Sequence, residues 1–400
     1  MCWGSTEGKI VVAGRAEAET QQWIATLSAD ELALARDYTM GNHWLILAGL
    51  LVSALVTWLI VRSGLLDRLA GKLAKRGFFL RTLAVAAVFL LLLSLLSLPF
   101  ALYEEWWRET QYGRTSQPLG DFLLQDAMST VIFLLFGGLF LTGVYALIRK
   151  TGRWWWAWGG ALVAGAVAFL LLLSPVLIEP LFNDYRPIPE GEVRTAVLEL
   201  AADAGVPEDR VFLYDGSRQS NNFTANVSGV GGNARIAISD VAMDEASLDE
   251  VKTVTGHEIG HYVLGHVWRT VAVLSLLAVA LFWLTARLYP WFAGRFGTDA
   301  PLEDPRGLPV FAFVLGLLFT LAQPITKMMT RMGESEADAY SLAHVGLPDA
   351  LAGALIETAE YRYPLAGPVE EALFYTHPTV ERRIRTAMEW KAASGGGAVE

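Results

Sequence analysis

The residues His257-Glu258-Ile259-Gly260-His261 carry the densest chemistry in the chain. Two imidazoles four positions apart fall on one face of a helix, within reach of a single metal ion. The Glu258 carboxylate between them is directed at the same region and can take a proton from a water held by that ion. A catalytic site of this type needs a third protein ligand and keeps its fourth position for water. The best candidate is Glu334, with Asp338 four residues on and therefore on the same helix face. Asp338 can accept the second ring N–H of a ligand histidine and fix its tautomer. Without the H-E-x-x-H pattern, this stretch would read as an ordinary acidic helix start beyond an apolar run. Glu336 faces elsewhere and reads as a solvated charge.

Spacing narrows the alternatives. A site with three histidines would place the third ten residues after His257, but that position is Val267. His266 follows His261 by five residues, lies on a different helical face, and reads as a packing or hydrogen-bonding residue near the helix end. Asp249, Glu250 and Lys252 precede the motif, which puts it at a membrane edge rather than inside a fully apolar span. His377, followed by Pro378, is either a turn residue or a group that steadies the oxyanion of a tetrahedral intermediate.

The elements that must position these groups are mostly apolar helices. Of 400 residues 53% are hydrophobic and only 18% charged, which indicates a polytopic membrane protein. A net charge of −10 without a basic stripe argues against a nucleic-acid partner, and the single cysteine, Cys2, excludes a disulfide framework. No signal peptide is expected in the polar first forty residues, where 16–38 reads as an amphipathic helix. Apolar runs at about 43–61, 82–102, 128–148, 154–178, 267–289 and 308–329 each approach the ~20 residues needed to span hydrocarbon, giving six spans. Trp154, Trp155, Trp156 and Trp158 read as an interfacial aromatic belt.

Between the fourth and fifth runs, short strands are expected at Val211–Tyr214, Phe223–Val227 and Arg235–Ile238. One helix should follow from Asp244 to His266, with Ser247 and Glu250 as a capping box. The expected organisation is a polar segment 1–42, four spans in 43–182, an α+β insert 183–266 with the catalytic helix, two spans in 267–330, a helical C-terminal part 331–393 and a flexible tail 394–400. The fold class is thus mainly α, a polytopic bundle or barrel of about six membrane helices with a small inserted α+β zinc-protease domain of gluzincin type.

Five ordered motifs add a family resemblance. Pro180-Leu181-Phe182 with Pro187-Ile188-Pro189-Glu190-Gly191, then Ser220-Asn221-Asn222-Phe223, precede the H-E-x-x-H, which continues into Leu264-Gly265-His266. Glu334-x-x-Ala337-Asp338 and His377-Pro378 with Arg383-Ile384 follow. Over roughly 28–390 the chain resembles the type I CAAX prenyl endopeptidases, integral-membrane zinc metallopeptidases similar to the HtpX-like heat-shock proteases of bacteria. The resemblance implies one zinc ion held by His257, His261 and Glu334, with Glu258 as general base and acid. It implies His377 as a transition-state contact, Arg383 supporting it or the adjoining helix, and Asn221 with Asn222 aligning the substrate backbone. Alanine is usual in the family where this chain has Asn222. A ring of membrane helices around a water-filled chamber, capped by the zinc domain, is the implied architecture. The eukaryotic enzymes have an additional N-terminal span.

The implied reaction is endoproteolysis of membrane-associated or CAAX-type peptides, and no motif here reads a prenyl group. A rival reading is a zinc-containing membrane quality-control protein that holds clients without cutting them. A transporter would want ionisable groups within the spans, which have almost none. The expected location is a bacterial cytoplasmic membrane. Arg62, Arg68, Lys72, Lys75, Arg76 and Arg81, with Arg149, Lys150 and Arg153, lie on the side opposite the insert, so a count of positive loops makes the site extracytoplasmic. The resemblance implies a cytosolic site, and the two stand opposed.

Overall fold

The computed structural model describes residues 6–229 and 234–394. The tail expected over 394–400 lies, from 395 on, outside the described residues. Long apolar helices run over Ala29–Ser63, Phe78–Ala101, Leu119–Thr151, Trp155–Leu173, His266–Phe296 and Leu308–His344. The nearly unbroken helical stretch Leu119–Phe182 has 64 residues. At ~1.5 Å per residue it is about three times too long for one crossing. Gly152, at φ +52°, divides it. The Phe136 ring lies 6.1 Å from that of Phe169, and a methyl of Leu162 lies 3.4 Å from where Gly143 would carry a Cβ. Partners that descend in number on one helix as they rise on the other define an antiparallel hairpin. Six spans result, as the apolar runs imply.

The chain divides into two compact units, one of which holds 44–170 and 268–323. Its core joins Val56 and Ile60, Val85 and Phe89, Val144 and Tyr145, Trp155, Phe282 and Phe311. A Cβ at Gly159 or Gly160 would sit 2.4 Å from Phe282 or Val279, so the helices meet there only because the residues are glycine. Leu47, Leu51, Leu55 and Trp58 form an exposed stripe on one helix face. In water such a face would be a liability; here it faces hydrocarbon.

The other unit holds the chain up to 43, 171–267, and 324 onward. Its sheet consists of β1 (Tyr185–Pro187), β2 (Val211–Tyr214), β3 (Ala225–Ser228) and β4 (Arg235–Ser239), in spatial order β1-β2-β4-β3. β2 and β4 run parallel with Val211 opposite Ile236, while β3 is antiparallel to β4 with Ala225 opposite Ile238. Every residue of β4 is buried, as befits an interior strand, and among the described residues β3 has no strand on its outer side. Val197 and Ala201 of Glu192–Asp203 and Val251 and Ile259 of Leu248–Val263 cover the sheet. A second core joins Leu342 to Leu351 and Leu355 of Pro348–Glu357, and to Ile384 and Met388 of Val380–Ala393.

Two helices differ from expectation. Thr6–Ile24 ends before the reciprocal Ser28–Glu31 cap, and a new helix runs from Ala29 without interruption into the first span. The stretch 16–38 is therefore two helices. The expected helix 244–266 begins only at Leu248, because a separate helix, Asp240–Glu245, precedes the cap.

Candidate active site

The helix Leu248–Val263 starts at the expected capping box: Ser247 N–H donates to Glu250 Oε2 at 2.8 Å, and Glu250 N–H donates to Ser247 Oγ at 3.3 Å. Thr253, Gly256 and Gly260 line the face turned to the helix Leu308–His344. A Cβ on Gly260 would lie 3.2 Å from Ala337 Cα, and one on Gly256 would lie 2.5 Å from a Val345 methyl. The absence of side chains lets Ser341 Oγ reach the Thr253 carbonyl at 2.8 Å. That contact brings Glu334 and Asp338 beside the motif histidines.

His257, His261 and Glu334 can each offer one ligand atom to a common ion. His257 Nε2 is 3.1 Å from His261 Nε2, 3.3 Å from Glu334 Oε2, and Glu334 Oε1 is 3.4 Å from His261 Nε2. A tetrahedral ion with bonds of about 2.0–2.1 Å sets its ligand atoms about 3.3 Å apart. The spacing fits such an ion. Glu334 Oε2 is buried, with His257 Nε2 and His377 Nε2 at 3.3 and 3.2 Å but neither in well-aligned hydrogen-bond geometry, an arrangement that costs free energy unless a cation sits against it. Burial disfavours charge on His257, yet the Asp338 and Glu334 carboxylates beside it raise its pKa to about 10.

The second nitrogen of each histidine is also held. His257 Nδ1 lies 2.9 Å from Asp338 Oδ1, and Asp338 accepts from Arg383 Nε at 2.8 Å and Nη2 at 2.7 Å. Both members of this fork are buried. Arg383 thus supports Asp338. On the other side, His261 Nδ1 lies 2.7 Å from His266 Nδ1, and His266 Nε2 lies 2.8 Å from Glu336 Oε2. Glu336 is therefore not the purely solvated charge expected. Gly265 at φ +66° stops the motif helix and the next begins at His266, which moves that imidazole off the face a continuous helix would give it.

Glu258 stands on the wall of a cavity of about 220 Å³. Burial raises its carboxyl pKa against the opposing pull of His257 and His261. His377 lines the same cavity with Nε2 3.2 Å from Glu334 Oε2 and Nδ1 2.9 Å from the Thr376 hydroxyl. Burial first, and then the Arg362 charge, lower its pKa to about 3, so the ring is neutral. Phe223, Thr224 and Ala225 put the start of β3 on the cavity wall, opposite Leu351 and Leu355. Asn221 and Asn222 precede these residues and are not among the lining; Asn222 Oδ1 is buried without a partner. Arg362 and Thr358 also line the cavity and carry no motif that would have marked them.

The profile of peptidase family M48 matches residues 187–391, just over half the chain and all of the residues above. The chain belongs to peptidase family M48. A second profile, CAAX prenyl protease N-terminal, five membrane helices, matches residues 15–184. The metalloprotease YhfN of Bacillus subtilis is 27% identical over 79% of this chain and 75% of its own. A CAAX prenyl protease 1 homolog of Oryza sativa is 28% identical over 82% and 77%, and CAAX prenyl protease 1 of Saccharomyces cerevisiae 27% over 77% and 73%. The crystal structure of S. mikatae Ste24p shares the fold, with TM-score 0.74 and 20% identity over 97% of this chain and all of that one. This M48 protein is an integral, multi-pass membrane metallopeptidase acting on peptide or protein substrates.

Proposed function

We propose that the chain is a zinc-dependent endopeptidase that cuts membrane-associated, CAAX-type peptides, with prenylated C-termini among its substrates. The observation that carries the reading is the meeting of His257, His261 and Glu334, with His257 and Glu334 sharing a cavity wall with Glu258. His257, His261 and Glu334 would hold the ion, and their two-nitrogen, one-carboxylate set matches zinc sites that keep a position open. When bound, zinc supplies Lewis-acid polarisation of the scissile carbonyl and lowers the pKa of water towards 7. Glu258 takes the proton of the attacking water and delivers it to the leaving amine nitrogen. Its raised pKa suits both duties. His377 is neutral, and with the Thr376 hydroxyl at Nδ1 it keeps an Nε2–H turned to the cluster, where it stabilises the developing oxyanion.

The free edge of β3 takes up the substrate as an added strand beside Glu258. Asn221 and the unpartnered Asn222 carbonyl fix the chain leading into that strand. The names of the CAAX prenyl protease relatives support the lipidated substrate class, and the organism of the Bacillus relative supports a bacterial setting; the site is placed on the cytoplasmic face because the family resemblance implies it. A cysteine placed on the exposed surface near the site, in a Cys2→Ser background, should react with an impermeant maleimide only in inverted vesicles.

The test uses purified protein with prenylated and unprenylated peptides of one sequence, with and without chelator. Chelator-sensitive cleavage of the prenylated peptide is expected. Glu258→Gln should retain metal and lose at least 10²-fold in rate. Full turnover by that variant would refute the role of Glu258, whereas no chelator-sensitive cleavage of either peptide would leave the client-holding alternative.

A further inference from the structure

We propose that His266 and Glu336 form a positioning relay that orients His261 and sets its tautomer, so that each metal-site histidine is backed by a carboxylate. The inference rests on His261 being a ligand through Nε2. A neutral imidazole that gives its Nε2 lone pair to a metal carries its one proton on Nδ1. His261 Nδ1–H then has one acceptor at hand, His266 Nδ1 at 2.7 Å. His266 must accept there, so its own proton resides on Nε2, which donates to Glu336 Oε2 at 2.8 Å. Each donor meets an acceptor, and the direction of the chain is forced. It also excludes His266 as a ligand, because it lies on the Nδ1 side of His261, away from the cluster.

The relay parallels the contact of His257 with Asp338, with one imidazole inserted. The two arms differ in setting. Asp338 is buried and held by Arg383, whereas the Glu336 side chain is 43% exposed. Its charge is screened by water, and the His266 arm is the weaker and more exchangeable of the two. Gly265 is what makes the arm possible, since a continuous helix would point His266 elsewhere.

The test measures metal affinity of full-length, detergent-purified protein by competition with a chromophoric chelator, together with the visible spectrum of the Co²⁺-loaded form. Loss of outer hydrogen-bond partners typically weakens metal binding 10–100-fold. His266→Ala should fall about tenfold, near the low end of that range because water can reach His261. Glu336→Gln, which keeps an acceptor but not the charge, should lose several-fold, and Glu336→Ala more. The Co²⁺ bands should shift in all three, while the two Glu336 variants melt like wild type in excess chelator. If His266→Ala does not fold, the Glu336 variants decide. Wild-type affinity and spectra in both overturn the relay. His257→Ala is the control: if it loses metal while the relay variants do not, only the relay fails. If it binds metal normally, the ligand assignment fails and the relay with it.

Discussion

Replacing Arg383 by methionine tests the buried fork that backs His257. The guanidinium donates to Asp338 at 2.8 and 2.7 Å, and its Nη2 lies 3.8 Å from Glu334 Oε2. Asp338 is 2% exposed and Arg383 8%. Removing one member of such a pair strands a charge where water cannot reach it, which costs about 3–5 kcal/mol. For a unit of 150–250 residues, about 2–4 °C per kcal/mol converts this to a fall of roughly 6–20 °C in melting temperature. In excess chelator the protonated His257 still faces Asp338 and offsets part of the stranded charge, so the fall should lie towards the low end of that range. Arg383→Lys should be intermediate, since it keeps the charge but not the fork. Asp338→Asn combined with Arg383→Met should recover much of the loss, as neither partner then leaves a buried charge. Differential scanning fluorimetry in detergent reads all four proteins. The reasoning fails if Arg383→Met melts like wild type in chelator, or if the double variant is no better than the single.

With metal removed by chelator, the raised His257 pKa stabilises the folded state fully below about 6.5 and is lost as pH climbs through about 10, so the stripped protein should melt progressively lower over that window. A melting temperature flat from pH 7 to 10 contradicts the assignment. Gly260→Ala puts a methyl 3.2 Å from Ala337 Cα and must move the Glu334 helix by a few tenths of an ångström. Cleavage kcat/KM should drop by about tenfold, with metal retained. Leu51→Arg, on the exposed face of the first span, should cost about 2.5–3.5 kcal/mol of insertion and deplete the membrane fraction on immunoblots, whereas Leu51→Ala should not.

The six spans were legible because hydrocarbon thickness imposes a length that few soluble helices reach in such apolar sequence. The two halves of the candidate cluster were legible because helical spacing alone sets His257 beside His261 and Glu334 beside Asp338; their meeting depends on the packing of two helices. The misreadings share a cause: each residue was assessed within its own helix. Glu336 points away from Glu334 on a helical wheel, but its partner comes from another helix, turned by Gly265. A glycine two residues after Val263 is a stop signal, and heeding it would have freed His266 from the continuous-helix argument. β1 escaped notice because three residues ending in proline have no alternation to detect, and only pairing with β2 makes them a strand. Gly256 and Gly260 gave no sign of their purpose until Ser341, Val345 and Ala337 were found against them.

If substrate docks on β3 as proposed, that edge, which pairs with no further strand among the described residues, would select for the state of a substrate as well as its sequence. Four residues span about 13 Å, room for roughly four residues of a second chain. Those residues must arrive with their amides and carbonyls free. A segment wound into a helix, inside a bilayer or out, has both committed to itself and offers the edge nothing. On that docking mode, frayed termini, linkers and unravelled ends would be cleavable, while the folded remainder of the same molecule would be spared. A protease so equipped can work among intact membrane proteins without harming them, and any neighbour whose tail has come undone is exposed to it.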